Sequence, residues 1–221
     1  MVRLNRYLAT NTGISRREAD ELISAGKVKV NGSVVPLGTQ INPEKDRVTM
    51  HGKPIDVLTK FTTIILNKPE GYVSSRKGQG RPTVYDILPP EYRQLKTDGR
   101  LDQNSSGLLL LTNDGGLAHS LTHPGFAKIK VYEVQLDKPL EPLHQQMIAG
   151  NGVSLADGKS RFDLEKLGDD RIYWRATMSE GRNRQIRRTF RLLGYDVVKL
   201  HRVNFGPYSL GNLQSGSTRI A

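Results

Sequence analysis

The tightest constraint on this chain is a run of four leucines, Leu108-Leu109-Leu110-Leu111, entered from Gly107 and left through Thr112-Asn113-Asp114-Gly115-Gly116. It is too short to span a membrane and fits a strand buried on both faces. The polar stretch before it, Gly99 to Gly107, carries one carboxylate, Asp102, on a loop whose glycines permit tight turns. Asp102 therefore sits at the lip of a buried strand, and binding and catalytic groups often sit on loops held by such a scaffold. On this stretch alone, Asp102 with Ser105 and Ser106 reads first as a turn cap.

The rest of the chain changes that balance. At 221 residues it can hold one large domain, or a small one joined to a medium one. Its formal net charge of +11 keeps polyanions in play as partners, nucleic acid first and acidic membrane second. With no cysteine there are neither disulfides nor cysteine-ligated metal centres, which fits a reducing cytosol. Met1 to Arg6 lacks the apolar core of a signal peptide, and no stretch is long enough for a membrane span. A soluble cytoplasmic protein is expected.

The first sixty residues predict a compact module. Leu4, Tyr7, Leu8 and Thr10 follow helical spacing up to Gly13. Ser15-Arg16-Arg17-Glu18 is a capping-box sequence for a second helix that buries Ala19, Leu22 and Ile23 and stops near Gly26. Val28 and Val30 then alternate with Lys27 and Lys29, and Asn31-Gly32 signals a tight hairpin. A strand near Arg47 to Met50 would close a small sheet. Arg3, Arg6, Arg16, Arg17, Lys27 and Lys29 gather on this module and suit a phosphate-contacting surface. Arg3-Leu4, Ser15 to Ala19 and Gly26 to Gly32 resemble the small RNA-binding domain shared with ribosomal protein S-four.

A polar linker is expected over Lys53 to Lys60, dividing a domain over residues 1–58 from one over 62–221. Thr62 to Leu66 reads as a strand ending in a turn at Asn67-Lys68-Pro69-Glu70-Gly71. Ser74 to Pro82, with Arg76, Lys77 and Arg81, reads as a mobile, RNA-contacting loop. Val84 to Leu88 suits a helical turn stopped by Pro89-Pro90. His119 and His123 stand four apart, a metal-compatible spacing, but they lack an evident third ligand and read better as surface or capping residues. Strands are predicted over Lys130 to Leu136, Arg161 to Leu167, Ile172 to Met178 and Val197 to His201, a helix over 139–149, and a turn over Asn151 to Asp157.

From Glu180 to Arg191, Ile186 and Phe190 follow helical spacing towards a core. Arg182, Arg184, Arg187, Arg188 and Arg191 crowd the other sides with one acid, Glu180, close in sequence. Such density repels itself without an anionic partner, and backbone phosphates would satisfy it.

Four stretches carry a second resemblance: Leu66 to Gly71, Gly99 to Asp102 with Ser106 to Gly115, Lys130-Val131-Tyr132, and Glu180 to Arg188. In this order, behind an S-four-like domain, they resemble the RsuA-type ribosomal RNA pseudouridine synthases over nearly the whole chain. The departures, Lys96-Thr97-Asp98 before Gly99 and Val131 in a variable slot, touch no family catalytic position. The resemblance implies an α+β fold, with a mixed, mostly antiparallel sheet flanked by helices behind the small front domain and a basic cleft across that sheet. It implies isomerisation of uridine with no metal and no cofactor. It places the catalytic carboxylate at Asp102, as nucleophile or base, its paired arginine at Arg187 with Arg184 as the weaker candidate, and the base-stacking tyrosine at Tyr132. Arg100 would help swing the base out. The partner implied is ribosomal RNA or a ribosome assembly intermediate, with the enzyme a monomer. Two rivals are an RNA-binding protein without chemistry and a metal-dependent nuclease using Asp98, Asp102 and Asp114.

Overall fold

The computed structural model describes all residues except 58, 59, 123, 124 and 126. The chain divides into two compact units, Met1–Thr62 with Asn113–Gly115, and Thr63–Thr112 with Gly116–Ala221.

The first unit begins with β1 (Val2–Arg3), α1 (Leu4–Thr12) and α2 (Arg16–Ser24). Gly13 ends α1 in the left-handed region, and Ser15 with Glu18 forms the capping box that starts α2. Strands β2 (Val28–Val30) and β3 (Ser33–Val34) make a hairpin whose register pairs Val30 with Ser33, so the loop is Asn31-Gly32 alone. Both loop residues have positive φ, 51° and 85°, the combination that matches the strand twist and favours this dipeptide. Then come β4 (Gln40–Ile41), β5 (Val48–Met50) and β6 (Lys53–Pro54). The sheet order is β3-β2-β5-β6, and β1 pairs with β4. Leu4, Leu8, Ala19, Ile23, Val28, Ile41 and Val48 form its core. The expected linker thus starts later than Lys53, because β6 pairs with β5; part of that linker, residues 58 and 59, lies outside the described residues.

The second unit is built on one nine-stranded sheet. Its elements are β7 (Thr63–Lys68), α3 (Val84–Ile87), β8 (Lys96–Asp98), β9 (Ser106–Thr112), α4 (Gly115–Thr122), β10 (Lys130–Leu136), α5 (Pro142–Ala149), β11 (Val153–Leu155), β12 (Gly158–Ser160), β13 (Asp163–Lys166), β14 (Tyr173–Met178), α6 (Gln185–Leu192), β15 (Val197–Phe205), β16 (Tyr208–Ser209) and β17 (Thr218–Ile220). The order is β13-β14-β10-β15-β9-β7-β17, with β8 on β9 and β16 on β15. Among the described residues of this sheet only β9 and β15 pair in parallel, so it is mixed and mostly antiparallel.

The leucine run is β9, and all four leucines are fully buried. Leu109 and Leu111 join the core on one sheet face with Ile64, Trp174 and Phe190. Leu108 and Leu110 join the core on the other with Ile65, Leu121 and Phe205. Each buried leucine stabilises the fold by roughly 1.5–3 kcal/mol, and a strand covered on both faces has no polar alternation to show. Gly107 lets β9 approach β15: a Cβ there would fall 2.3 Å from the Arg202 carbonyl oxygen. Its φ of 102° also excludes most side chains.

Three expectations are corrected. Asn67 and Lys68 continue β7 rather than turning, because they pair with Leu108 and Gly107 of β9. Residues 153–160 form the hairpin β11–β12 rather than a turn. Strand β15 runs on to Phe205, so Arg202 lies within the sheet instead of following it. Among the described residues no helix is long and apolar enough to cross a membrane.

Candidate active site

The loop between β8 and β9 delivers Asp102, and three neighbours fix its backbone. Lys68, fully buried, points its ammonium at carbonyl oxygens: Ser105 at 2.6 Å, Pro69 at 3.0 Å and Asp102 itself at 3.1 Å. Ser74 Oγ donates to the Leu101 carbonyl at 2.9 Å and accepts from the Leu101 amide at 3.2 Å. Gly71 and Gln103 exchange two bonds, amide to carbonyl at 2.8 Å and side-chain amide to carbonyl at 3.0 Å. Burial drives the Lys68 ammonium down to about 8, opposed by the charges of Glu70 and Asp102. A lysine so desolvated is costly, and its carbonyl partners offset that cost.

Asp102 Oδ2 lies 3.3 Å from Arg184 Nη1, and the same nitrogen donates to Asn104 Oδ1 at 3.2 Å. Arg184 is the N-cap of α6 and has φ 47°, a left-handed conformation costing a non-glycine residue on the order of 1–2 kcal/mol. Arg187, expected to pair with the aspartate, instead donates to the carbonyls of Asn104 at 2.5 Å and Val197 at 2.6 Å. Both arginines reach the Asp102 loop: Arg187 from within α6 meets the Asn104 backbone, while Arg184, at the N-cap, meets the Asp102 and Asn104 side chains. Burial, then the charge of Arg184, holds the Arg187 guanidinium below its usual range, while Asp102 pulls it back up. Arg187 thus senses Asp102 electrostatically and supports its loop through Asn104.

Asp102 stands where two clefts meet. One, of about 340 Å³, is lined by Asp102, Tyr132, Met178, Ile186, Leu200 and Arg202 among others. The other, of about 710 Å³, runs past Glu70, Ser74, Arg81, Gln103 and Asn104. Arg100, Leu101, Asn183 and Arg184 border both. Tyr132 is 8% exposed, and a register shift in β10 immediately before it re-aims the strand. A carboxylate, an aromatic ring and apolar side chains on one cleft can hold a planar base against a charged group.

The other expected RNA-binding residues separate into two groups. Arg3, Arg16, Arg17, Lys27 and Lys29 are exposed on the first unit, as are Lys77 and Arg100 on the second. Arg76, Arg182 and Arg188 are engaged by the protein itself. Arg76 donates to the carbonyls of Gln94 and Leu95 and lies 4.5 Å from the Tyr85 ring centroid. Arg188 grips Asp157 through two bonds, 2.8 and 3.1 Å. Arg182 meets Asp157 at 3.0 Å and donates to the Gly158 and Lys159 carbonyls. Asp157 is the anion that the arginine stretch requires, supplied by the β11–β12 hairpin. Arg191 pairs with Asp196 at 3.4 Å.

The sequence reading missed Lys68, Ser74, Asp157 and Arg202. Each acts across a separation in sequence that periodicity does not report, and Lys68 in an Asn-Lys-Pro context carries the signal of a turn. Among the described residues no group of three or more His, Cys, Asp or Glu could hold a metal ion. His123 of the histidine pair lies outside the described residues.

Comparison with known proteins identifies the family. Residues 62–192 match the RNA pseudouridylate synthase family, and residues 2–48 match the S4 domain. An uncharacterized RNA pseudouridine synthase of Aquifex aeolicus is 38% identical, covering 99% of this chain and 89% of its own length. Ribosomal large subunit pseudouridine synthase B of Bacillus subtilis is 36% identical over 99% of this chain and 91% of its own. Ribosomal small subunit pseudouridine synthase A of Pasteurella multocida is 36% identical over 95% and 90%. A crystal structure of a pseudouridylate synthase superposes with a TM-score of 0.71 at 34% identity, covering 100% of this chain and 96% of that one. With a buried-strand loop that presents one carboxylate to an aromatic-walled cleft, and an S4 domain in front, this chain belongs to the RNA pseudouridylate synthase family.

Proposed function

We propose that this protein isomerises a specific uridine of ribosomal RNA to pseudouridine in the cytoplasm, acting as a monomer with Asp102 as the catalytic carboxylate. The single observation that carries the reading is Asp102 itself: one carboxylate, ion-paired with Arg184, at the junction of two clefts rich in cations. Binding alone gives no reason to place a carboxylate among groups that would meet phosphates.

The reaction breaks the bond between uracil N1 and ribose C1′, turns the base, joins C5 to C1′, and exchanges the C5 proton for one on N1. It is a net isomerisation and needs no oxidant, reductant or co-reactant. Asp102 supplies the ionised carboxylate that such a step needs, as nucleophile or as base. Arg184, 3.3 Å away, keeps it oriented. Tyr132 stacks on the extruded base, and Arg100 at the lip assists extrusion, which costs a few kcal/mol, about one or two stacking contacts. Arg187 acts as a positioning residue through the Asn104 carbonyl. The cations of the first unit hold the RNA backbone.

The test is a chemical map of pseudouridines across unmodified small- and large-subunit ribosomal RNA and their assembly intermediates, incubated with the protein or with Asp102→Asn. The expected result is a new position made by the unmutated protein only. No new position on any substrate would leave an RNA-binding protein without this chemistry.

A further inference from the structure

Arg202 and Lys130 line the Asp102 cleft yet have no part in the chemistry above. Pairing of β10 with β15 sets Arg202 opposite Tyr132 and Phe205 opposite Lys130. The two cations share Phe205: the Arg202 guanidinium lies 4.9 Å and the Lys130 ammonium 5.4 Å from its ring centroid. Arg202 is 2% exposed and donates from Nε to the Leu108 carbonyl at 2.8 Å, but its Nη2 is buried with no partner. Lys130 Nζ donates to the Lys128 carbonyl at 3.1 Å and the Ser179 carbonyl at 3.4 Å.

Their charge is not matched. The carboxyl that acts on Arg202 is Asp98, 2% exposed, and its Oδ2 is also buried without a partner. Burial pushes Asp98 up to about 7 against the pull of Arg202, so near neutral pH it is only partly ionised. Burial, then Arg202, holds the Lys130 ammonium below its usual range. An unpaired, buried guanidinium N–H is expensive, and two desolvated cations beside a cleft favour an anion. While joined to ribose, uracil is neutral and its acceptors are carbonyl oxygens; a guanidinium fork next to an ammonium suits a phosphate better.

We propose that Arg202 and Lys130 form a subsite for one backbone phosphate of the substrate RNA, on the cleft wall beside Tyr132. The subsite anchors the extruded nucleotide by its phosphate while the base is detached and turned. It rests on the reading of the cleft as an RNA-modifying site, since each nucleotide entering it brings a phosphate.

The experiment replaces single phosphates flanking the target uridine by neutral methylphosphonates, and compares the unmutated protein, Lys130→Gln and Lys130→Arg. The unmutated protein is expected to lose about ten- to hundredfold in kcat/KM at one of the two positions, the worth of a charge-assisted contact. Lys130→Gln should lose a similar factor on ordinary RNA and little more on that modified RNA, and Lys130→Arg should recover most of it. Losses that multiply independently, or an unmutated protein indifferent to both replacements, would overturn the subsite. Arg202 and Asp98 would then be buried neighbours with no part in holding RNA. A Lys130→Gln chain that fails to fold leaves the indifference of the unmutated protein and of Lys130→Arg as the deciding readout. Absence of pseudouridine in ordinary RNA would defeat the functional reading instead, and the subsite with it.

Discussion

The two units use positive charge in opposite ways. On the first, Arg3, Arg17, Lys27 and Lys29 are exposed, and among the described residues none meets a carboxylate within 4.0 Å. In the second, Lys68, Arg76, Arg182, Arg187 and Arg188 are turned onto carbonyls or acids of the same unit. Both sets look alike as sequence, and the denser one is the more internally engaged. Density of arginine therefore does not by itself mark a nucleic-acid surface; what matters is whether the fold supplies a counter-charge, as Asp157 does for Arg182 and Arg188.

The largest expected effect on that contrast comes from Lys68. Lys68→Met leaves buried carbonyls around the Asp102 loop without a donor, and should lower stability by about 1–3 kcal/mol for each orphaned carbonyl in urea unfolding and abolish turnover. A variant as stable as the parent would mean that Lys68 is no more than a spacer. Next come the two arginines of α6. Arg187→Gln should lower stability by about 1–3 kcal/mol through its two lost carbonyl bonds. Arg184→Gln should instead cut kcat by roughly 10²-fold while leaving the melting curve close to the parent, because it orients the reacting carboxylate. The reverse pattern would restore Arg187 as the partner of Asp102.

A pH series sharpens the account of Asp98. Its folded carboxyl binds a proton up to about 7, well above its unfolded value. The folded state then holds more protons than the unfolded one between those values, so stability falls as pH rises through that window. The slope approaches about 1.4 kcal/mol per pH unit while the group titrates. Asp98→Asn should flatten that slope and gain on the parent as pH rises towards 8. An unchanged slope would remove Asp98 as its source.

The smallest effect on the fold is expected from the first unit. Lys27→Ala with Lys29→Ala should change stability by no more than about 0.5 kcal/mol per site. The pair should weaken RNA binding at low salt and shallow its salt dependence by roughly one ion per lost contact. Unchanged affinity would dissolve the contrast between the units.

What the sequence made legible was local or periodic. The capping box at Ser15, the Asn31-Gly32 hairpin and the leucine strand each follow from neighbours within a few residues, and the structure has all three. The loop that presents Asp102 was legible as well, because glycines and a buried strand bracket it. Its supports were not. Lys68 meets Ser105 across 37 positions and Arg188 meets Asp157 across 31, contacts made by the packing of elements distant in sequence rather than by chain proximity. Arg184 and Arg187 differ by less than one helical turn, so spacing could not decide which of them faces the carboxylate.

The most direct test of the central claim is tritium release from ribosomal RNA labelled at uracil C5, followed for the parent protein and Asp102→Asn with RNA affinity measured alongside. The C5 hydrogen must leave when the carbon bond to ribose forms. The account predicts release by the parent, a loss of about 10³-fold or more in Asp102→Asn, and affinities within a few fold of each other. Comparable release by both proteins would contradict it, because the isomerisation would then proceed without the carboxylate around which this cleft is built.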